Sequence, residues 1–211
     1  MKLFRASMYV LMLCLLVGFS GVAQAVPVTV TWSAMVNGSN ASPSTMSSVS
    51  FYVSTSDTQT GTLIASNTGN PNAAASTNGS TVVDLAPGPL FVHVVAQTTY
   101  SVGGYGFIGS FSLTNGTSTV SLVSQPQTME VSTLGFGQSY VTPTAYSYSY
   151  ITPPNLAAGA QWLWTANNAL QGPIYFSASV VLPEPPIWMF IPAMLVALLA
   201  SLRLPTRGAT F

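Results

Sequence analysis

Phe111-Ser112-Leu113-Thr114-Asn115-Gly116-Thr117-Ser118-Thr119-Val120-Ser121-Leu122 alternates apolar and polar residues on both sides of an Asn-Gly pair, and that pattern decides the fold class. Asn-Gly tolerates the positive φ angles of a type I′ turn, the two-residue turn whose twist matches that of paired strands. Pairing Thr114 with Thr117 puts Phe111, Leu113, Val120 and Leu122 on one face, so the segment predicts a β-hairpin with one apolar side.

The same period of two extends outward from the hairpin. Val28, Val30 and Trp32 alternate with Thr29, Thr31 and Ser33, and Val49, Phe51 and Val53 repeat the pattern. From Leu90 to Tyr100, Val92, Val94 and Ala96 face one way and Phe91, His93 and Val95 the other, as expected of a central strand buried on both faces. Ile174, Phe176, Ala178 and Val180 predict a last strand. The small, polar stretch from Ser66 to Ser80, with Asn70-Pro71-Asn72, reads as a long loop. Ala157 to Ala160 and Thr165 to Leu170 suit short helical turns, but nowhere between the ends does a 3.6-residue period persist. The expected architecture over 26–181 is therefore all-β, an antiparallel sandwich-like domain of roughly seven to ten strands.

Charge is the most unusual property of the composition. Only 4% of the 211 residues are charged, against roughly a quarter in ordinary globular proteins. All four basic residues, Lys2, Arg5, Arg203 and Arg207, lie near the termini, while Asp57, Asp84, Glu130 and Glu184 are the acids. A nucleic-acid partner needs Lys or Arg to displace counterions from phosphates, so the central region is not expected to bind one. Ser, Thr, Asn and Gln supply the polarity instead, which suits contact with water and sugars.

Both ends carry addresses. Lys2 and Arg5 precede an apolar run from Met8 to Phe19, followed by Ala23-Gln24-Ala25, and this order predicts a secretory signal peptide over 1–25, cut by signal peptidase after Ala25. Cys14 falls inside that run, so the mature chain would have no cysteine and no disulfide or thiolate chemistry. At the other end, Leu182-Pro183-Glu184-Pro185-Pro186 leads into the apolar stretch from Ile187 to Leu202, then Arg203 and Arg207. This predicts a membrane helix over 187–204, close to the ~20 residues that span a bilayer. Arginines after the helix and none before it put the tail in the cytoplasm and the domain outside.

The 182–211 segment resembles the PEP-CTERM sorting signal of bacteria that make exopolysaccharide. Pro183, Glu184 and Pro185 match the motif, Ile187 to Leu202 the helix, and Arg203 with Arg207 the basic end. Leu182 stands where Val is usual, Pro186 where Ser or Ala is common, and the two arginines are spaced rather than clustered. The resemblance implies recognition by an exosortase, a membrane-embedded cysteine protease, with cutting near Glu184 and release into an extracellular polysaccharide matrix.

The residues give little for catalysis to use. His93 is the sole histidine, flanked by Phe91 and Val95, and no G-x-S-x-G elbow is present. An exported hydrolase would need His93 exposed in a cleft beside Asp57 or Asp84 and a serine. Zinc lacks ligands, and calcium would have only the scattered Asp57 and Asp84. No cofactor is expected. The aromatic runs offer a different chemistry, since Tyr146, Tyr148 and Tyr150, or Trp162 and Trp164, would share a strand face on which sugar rings stack, or would pack into the core. The expectation is a non-enzymatic exported surface or matrix protein; the alternatives are a carbohydrate-binding module using the Tyr/Trp face and, behind it, the hydrolase.

Overall fold

The computed structural model describes residues 25–37, 47–69, 74–86, 88–98, 105–116, 118–148 and 152–183. The predicted signal segment before Ala25, Tyr150, and the tail from Glu184 through Pro185, the 187–204 helix, Arg203 and Arg207 lie outside them. Among the described residues no helix is long and apolar enough to cross a membrane.

The described residues are all-β, with eleven strands in two antiparallel sheets. In chain order the strands are β1 (Val26–Asn37), β2 (Ser47–Ser54), β3 (Thr62–Thr68), β4 (Ala75–Leu85), β5 (Leu90–Thr98), β6 (Gly106–Asn115), β7 (Ser118–Val123), β8 (Glu130–Ser132), β9 (Thr144–Tyr146), β10 (Trp162–Trp164) and β11 (Gly172–Val180). The first sheet runs β4-β1-β6-β10-β9, with β7 also paired to β6; the second runs β3-β2-β5-β11-β8. Only β2–β3, β6–β7 and β9–β10 pair as sequence neighbours. The other pairings join strands distant in sequence, because the chain keeps crossing from one sheet to the other.

Period-two alternation builds the core between the sheets. Val28, Val30, Ala34 and Val36 of β1 join Val49, Phe51 and Val53 of β2, Val92, Val94 and Ala96 of β5, and Ile174, Phe176, Ala178 and Val180 of β11. Aromatic rings bridge the layers: Phe51 meets Phe111 at 4.7 Å between centroids, and Phe107 meets Phe176 at 4.9 Å. Burying one such side chain contributes roughly 1.5–3 kcal/mol, so these contacts fix how the sheets sit on each other. Two opposed antiparallel sheets sharing one core are consistent with a β-sandwich. Gly109 lies between Phe107 and Phe111 on the core face of β6, and a Cβ there would stand 3.0 Å from the tip of each ring.

Three expectations need adjustment. The hairpin exists with the predicted apolar face, but Asn115 pairs with Ser118 and Phe111 with Leu122. The register has moved by two residues because Gly116, at φ +58, takes the first turn position; a shift of two keeps every side chain on its face. Of the loop expected from Ser66 to Ser80, Asn70-Pro71-Asn72 lies outside the described residues and most of the remainder is strand. Its residues complete β3 and open β4, where Gly79 pairs with Trp32 and leaves room for the indole. Small polar residues form a strand here because the long β1 supplies a ladder for them. Finally, 157–160 and 167–170 form single hydrogen-bonded turns and no helix.

Candidate functional site

His93 projects from the outer face of the second sheet, in register with Tyr52 of β2 and Ser177 of β11. Two connections close over it. The turn after β2 brings Asp57 across the strands, and its shape comes from Ser54, whose Oγ accepts from the Ser56 amide at 3.1 Å and donates to the Ser56 carbonyl at 2.8 Å. The loop after β8 lays Phe136 flat on the imidazole, 4.0 Å between centroids and 8° from parallel. Gly137 allows the loops to touch, since a Cβ there would fall 2.5 Å from Thr58 Cγ2.

Asp57 is the hub of this cluster. Its Oδ1 accepts from Tyr140 Oη and Ser177 Oγ, both at 3.0 Å, and lies 3.6 Å from His93 Nε2. Tyr140 Oη in turn accepts from the Gly137 amide at 2.9 Å. Burial raises the Tyr140 pKa, which keeps the phenol protonated and able to donate. His93 Nδ1 lies 3.4 Å from the Thr60 carbonyl, an arrangement that assigns the ring proton to Nδ1. Nε2 then faces the Asp57 carboxylate with a lone pair and has no hydrogen-bond partner. Burial lowers the His93 pKa, against the opposing pull of Thr60 and Asp57, so the ring is held neutral.

Serine, histidine and aspartate are therefore adjacent, as the hydrolase alternative required, but not in the order of a Ser-His-Asp triad. Ser177 donates to Asp57 instead of to His93, so the hydroxyl is not joined to the imidazole as it is in such a triad. The His93 side chain is 0% exposed, which denies it the cleft. What the arrangement does is tie two loops to one sheet. Asp84, the other acid considered, pairs with Pro27 in the first sheet, whereas this cluster sits on the second. Among the described residues no group of three or more His, Cys, Asp or Glu is placed to hold a metal ion.

The aromatic candidates divide. Trp162 and Trp164 are buried, the first with Met35 and Ile108, the second in the main core with Phe176 and Tyr105. Tyr146 and Tyr148 are half-buried and stack on each other at 5.6 Å and 8°. Their hydroxyls point inward: Tyr146 donates to the Thr165 carbonyl at 2.9 Å and Tyr148 to the Tyr105 carbonyl at 3.0 Å. With Ser147, Gln161 and Trp162 they line an open depression of about 370 Å³ rather than a flat row.

A feature missed in the sequence lies beside them. Residues 152–161 fold as a flap across the outer face of the first sheet, fastened by buried serines. Ser33 Oγ donates to the Pro154 carbonyl at 2.7 Å, Ser110 Oγ accepts from the Ala157 amide at 3.1 Å, and Ser124 Oγ donates to the Gln161 carbonyl at 2.8 Å. The flap walls one side of an open groove of about 510 Å³, over Thr31, Ser80, Ser112 and Ser121, with Asn78 and Asn155 also lining it. The only signal in the sequence was Ser110 inside Phe107-Ile108-Gly109-Ser110-Phe111, a hydroxyl within a run apolar on both faces.

No family model, curated protein or solved structure matches the chain.

Proposed function

We propose that the protein is a non-enzymatic, exported surface protein of the PEP-CTERM kind: a signal peptide is removed after Ala25, the 187–204 helix holds the chain in the membrane, and an exosortase cuts near Glu184 to release the domain into a polysaccharide matrix. The junction between domain and tail carries this reading. β11 ends at Val180, itself 2% exposed, whereas Val181 is 76% exposed and the sorting motif begins two residues later at Pro183. A cut near Glu184 falls beyond the end of β11 and so leaves all eleven strands intact. Lys and Arg are absent from 26–182, which favours a neutral matrix over nucleic acid or an anionic surface.

The sealed His93 counts against the hydrolase alternative, and the inward-turned hydroxyls of Tyr146 and Tyr148 weaken the stacking platform. The test is the intact mass of the protein recovered from its native cells, with the fraction that pellets with membranes. A mass ending within a few residues of Pro185, in material freed from membranes, is the expected result. A mass running to Phe211 in the membrane pellet would overturn the processing step and leave a permanently anchored protein.

A further inference from the structure

The outer face of the first sheet presents hydroxyls in ranks across four strands. Register places Ser80, Thr31, Ser112 and Ser121 side by side on β4, β1, β6 and β7. One pair further along, Thr29, Thr114 and Thr119 form a second rank on three of the strands, with the exposed Val82 in the β4 position. Thr31 and Ser80 are exposed and share a hydrogen bond at 3.1 Å, as Thr114 and Thr119 do at 2.9 Å. These contacts hold the hydroxyls in place while each oxygen keeps further capacity to donate or accept. Successive members of a rank stand about 4.8 Å apart, the strand spacing of any sheet, which is close to the length of one hexose in an extended chain.

We propose that this groove binds a neutral, extended β-linked hexose polymer, lying across the strands with the first rank beneath it and the flap beside it. Neutrality follows from the lining, which contains no charged side chain. The flap is already pinned by Ser33, Ser110 and Ser124, so little ordering accompanies binding. Asn155 stands at the rim in the left-handed region, φ +63, and is one of two non-glycine residues so placed among those described. Asn tolerates that conformation better than most residues, and its amide both donates and accepts, as sugar hydroxyls require. The inference deepens the matrix reading, on which its biological setting rests, although the binding itself does not depend on any cut.

The test uses the full chain in a detergent without a sugar headgroup, titrated with cellohexaose and, separately, with polygalacturonate, a chain that is both acidic and α-linked. Saturable binding of cellohexaose and none of polygalacturonate is expected. The triple variant Thr31→Val, Ser112→Ala, Ser121→Ala removes surface hydroxyls without opening the core and is expected to weaken binding tenfold or more, since each lost hydrogen bond is worth about twofold to tenfold. Asn155→Gly, which suits the same backbone, is expected to weaken it by a smaller factor, and Thr62→Val on the other sheet to leave it unchanged. Absence of saturable cellohexaose binding, equal binding of polygalacturonate, or full affinity in the triple variant would each overturn the proposal. Failure here beside a truncated mass in cells would remove this site and leave the matrix reading intact; the converse would do the opposite.

Discussion

Replacing Ser124 by Ala removes a single oxygen and keeps the Cβ, so any effect reports on hydrogen bonds and not on packing. Ser124 is 0% exposed. Its Oγ accepts from the Gly109 amide at 3.0 Å and donates to the Gln161 carbonyl at 2.8 Å, linking β6 to the end of the flap. In the variant the buried Gly109 N–H loses a partner, which costs about 1–3 kcal/mol. Gln161 is exposed, so its carbonyl recovers water and the loss there is nearer about 1 kcal/mol. Together the substitution is expected to cost about 2–4 kcal/mol, a large share of the 5–15 kcal/mol typical of a domain. With a urea slope of about 2 kcal/mol per molar, the unfolding midpoint should fall by about 1–2 M at unchanged slope. Hydrogen exchange adds a local reading, because the Gln161 amide donates to the Ser124 carbonyl at 2.7 Å and should exchange faster as the flap loosens. A midpoint shift under about 0.25 M, the level of an ordinary surface change, would refute the reasoning: water would then be replacing the hydroxyl, and the flap would not depend on it.

Gly109→Ala places a methyl 3.0 Å from the tips of Phe107 and Phe111, rings already wedged against Phe176 and Phe51; a loss of about 1–3 kcal/mol is expected in urea unfolding, and a gain in stability would show that the rings give way. Asp57→Ala strands the Tyr140 and Ser177 hydroxyls and is expected to lower the thermal midpoint by about 5–10 °C with faster proteolysis in both loops; an unchanged melt would deny Asp57 its role as hub. His93 has its pKa lowered in the folded state, chiefly by burial, so the unfolded chain binds the proton more readily. Its contribution to stability is therefore full above the ordinary imidazole value of 6.5 and is lost as the pH falls from there through the folded value. Thermal melts should fall across that window and His93→Phe should flatten the slope; a melt rising on acidification would mean that the Asp57 pairing outweighs burial.

The sequence revealed most where apolar residues alternate. β5 was legible as a central strand from Val92, Val94 and Ala96 opposite Phe91, His93 and Val95, and β6–β7 from its flanking alternation, although turn position could not be read from Asn115-Gly116 because either neighbour pairing keeps the same face. Strands β3 and β4 were hidden because Ser66, Asn67, Ser76 and Asn78 have no apolar partner to alternate with, and only the neighbouring strands, β2 for β3 and β1 for β4, make a ladder for them. The His93 cluster was half visible: burial followed from its neighbours and Asp57 was one of two acids named beside it, but nothing marked Tyr140 and Ser177, the latter 120 positions from Asp57, as partners. The flap was invisible for a similar reason. In a chain with serine everywhere, the three that fasten it look like all the others.

The place of β11 has a consequence for how the domain is made. It is the last strand among the described residues, yet it lies between β5 and β8 in the interior of its sheet. That sheet cannot close until nearly the whole domain has been synthesised, and until then β5 presents an open edge of Val92, Val94 and Ala96. Pairings this distant in sequence nucleate slowly, because a long loop must be closed before any contact forms. Slow closure keeps the chain threadable for longer, as the export proposed above would require. It also makes nascent chains ending before Gly172 prone to association through the uncovered β5 edge.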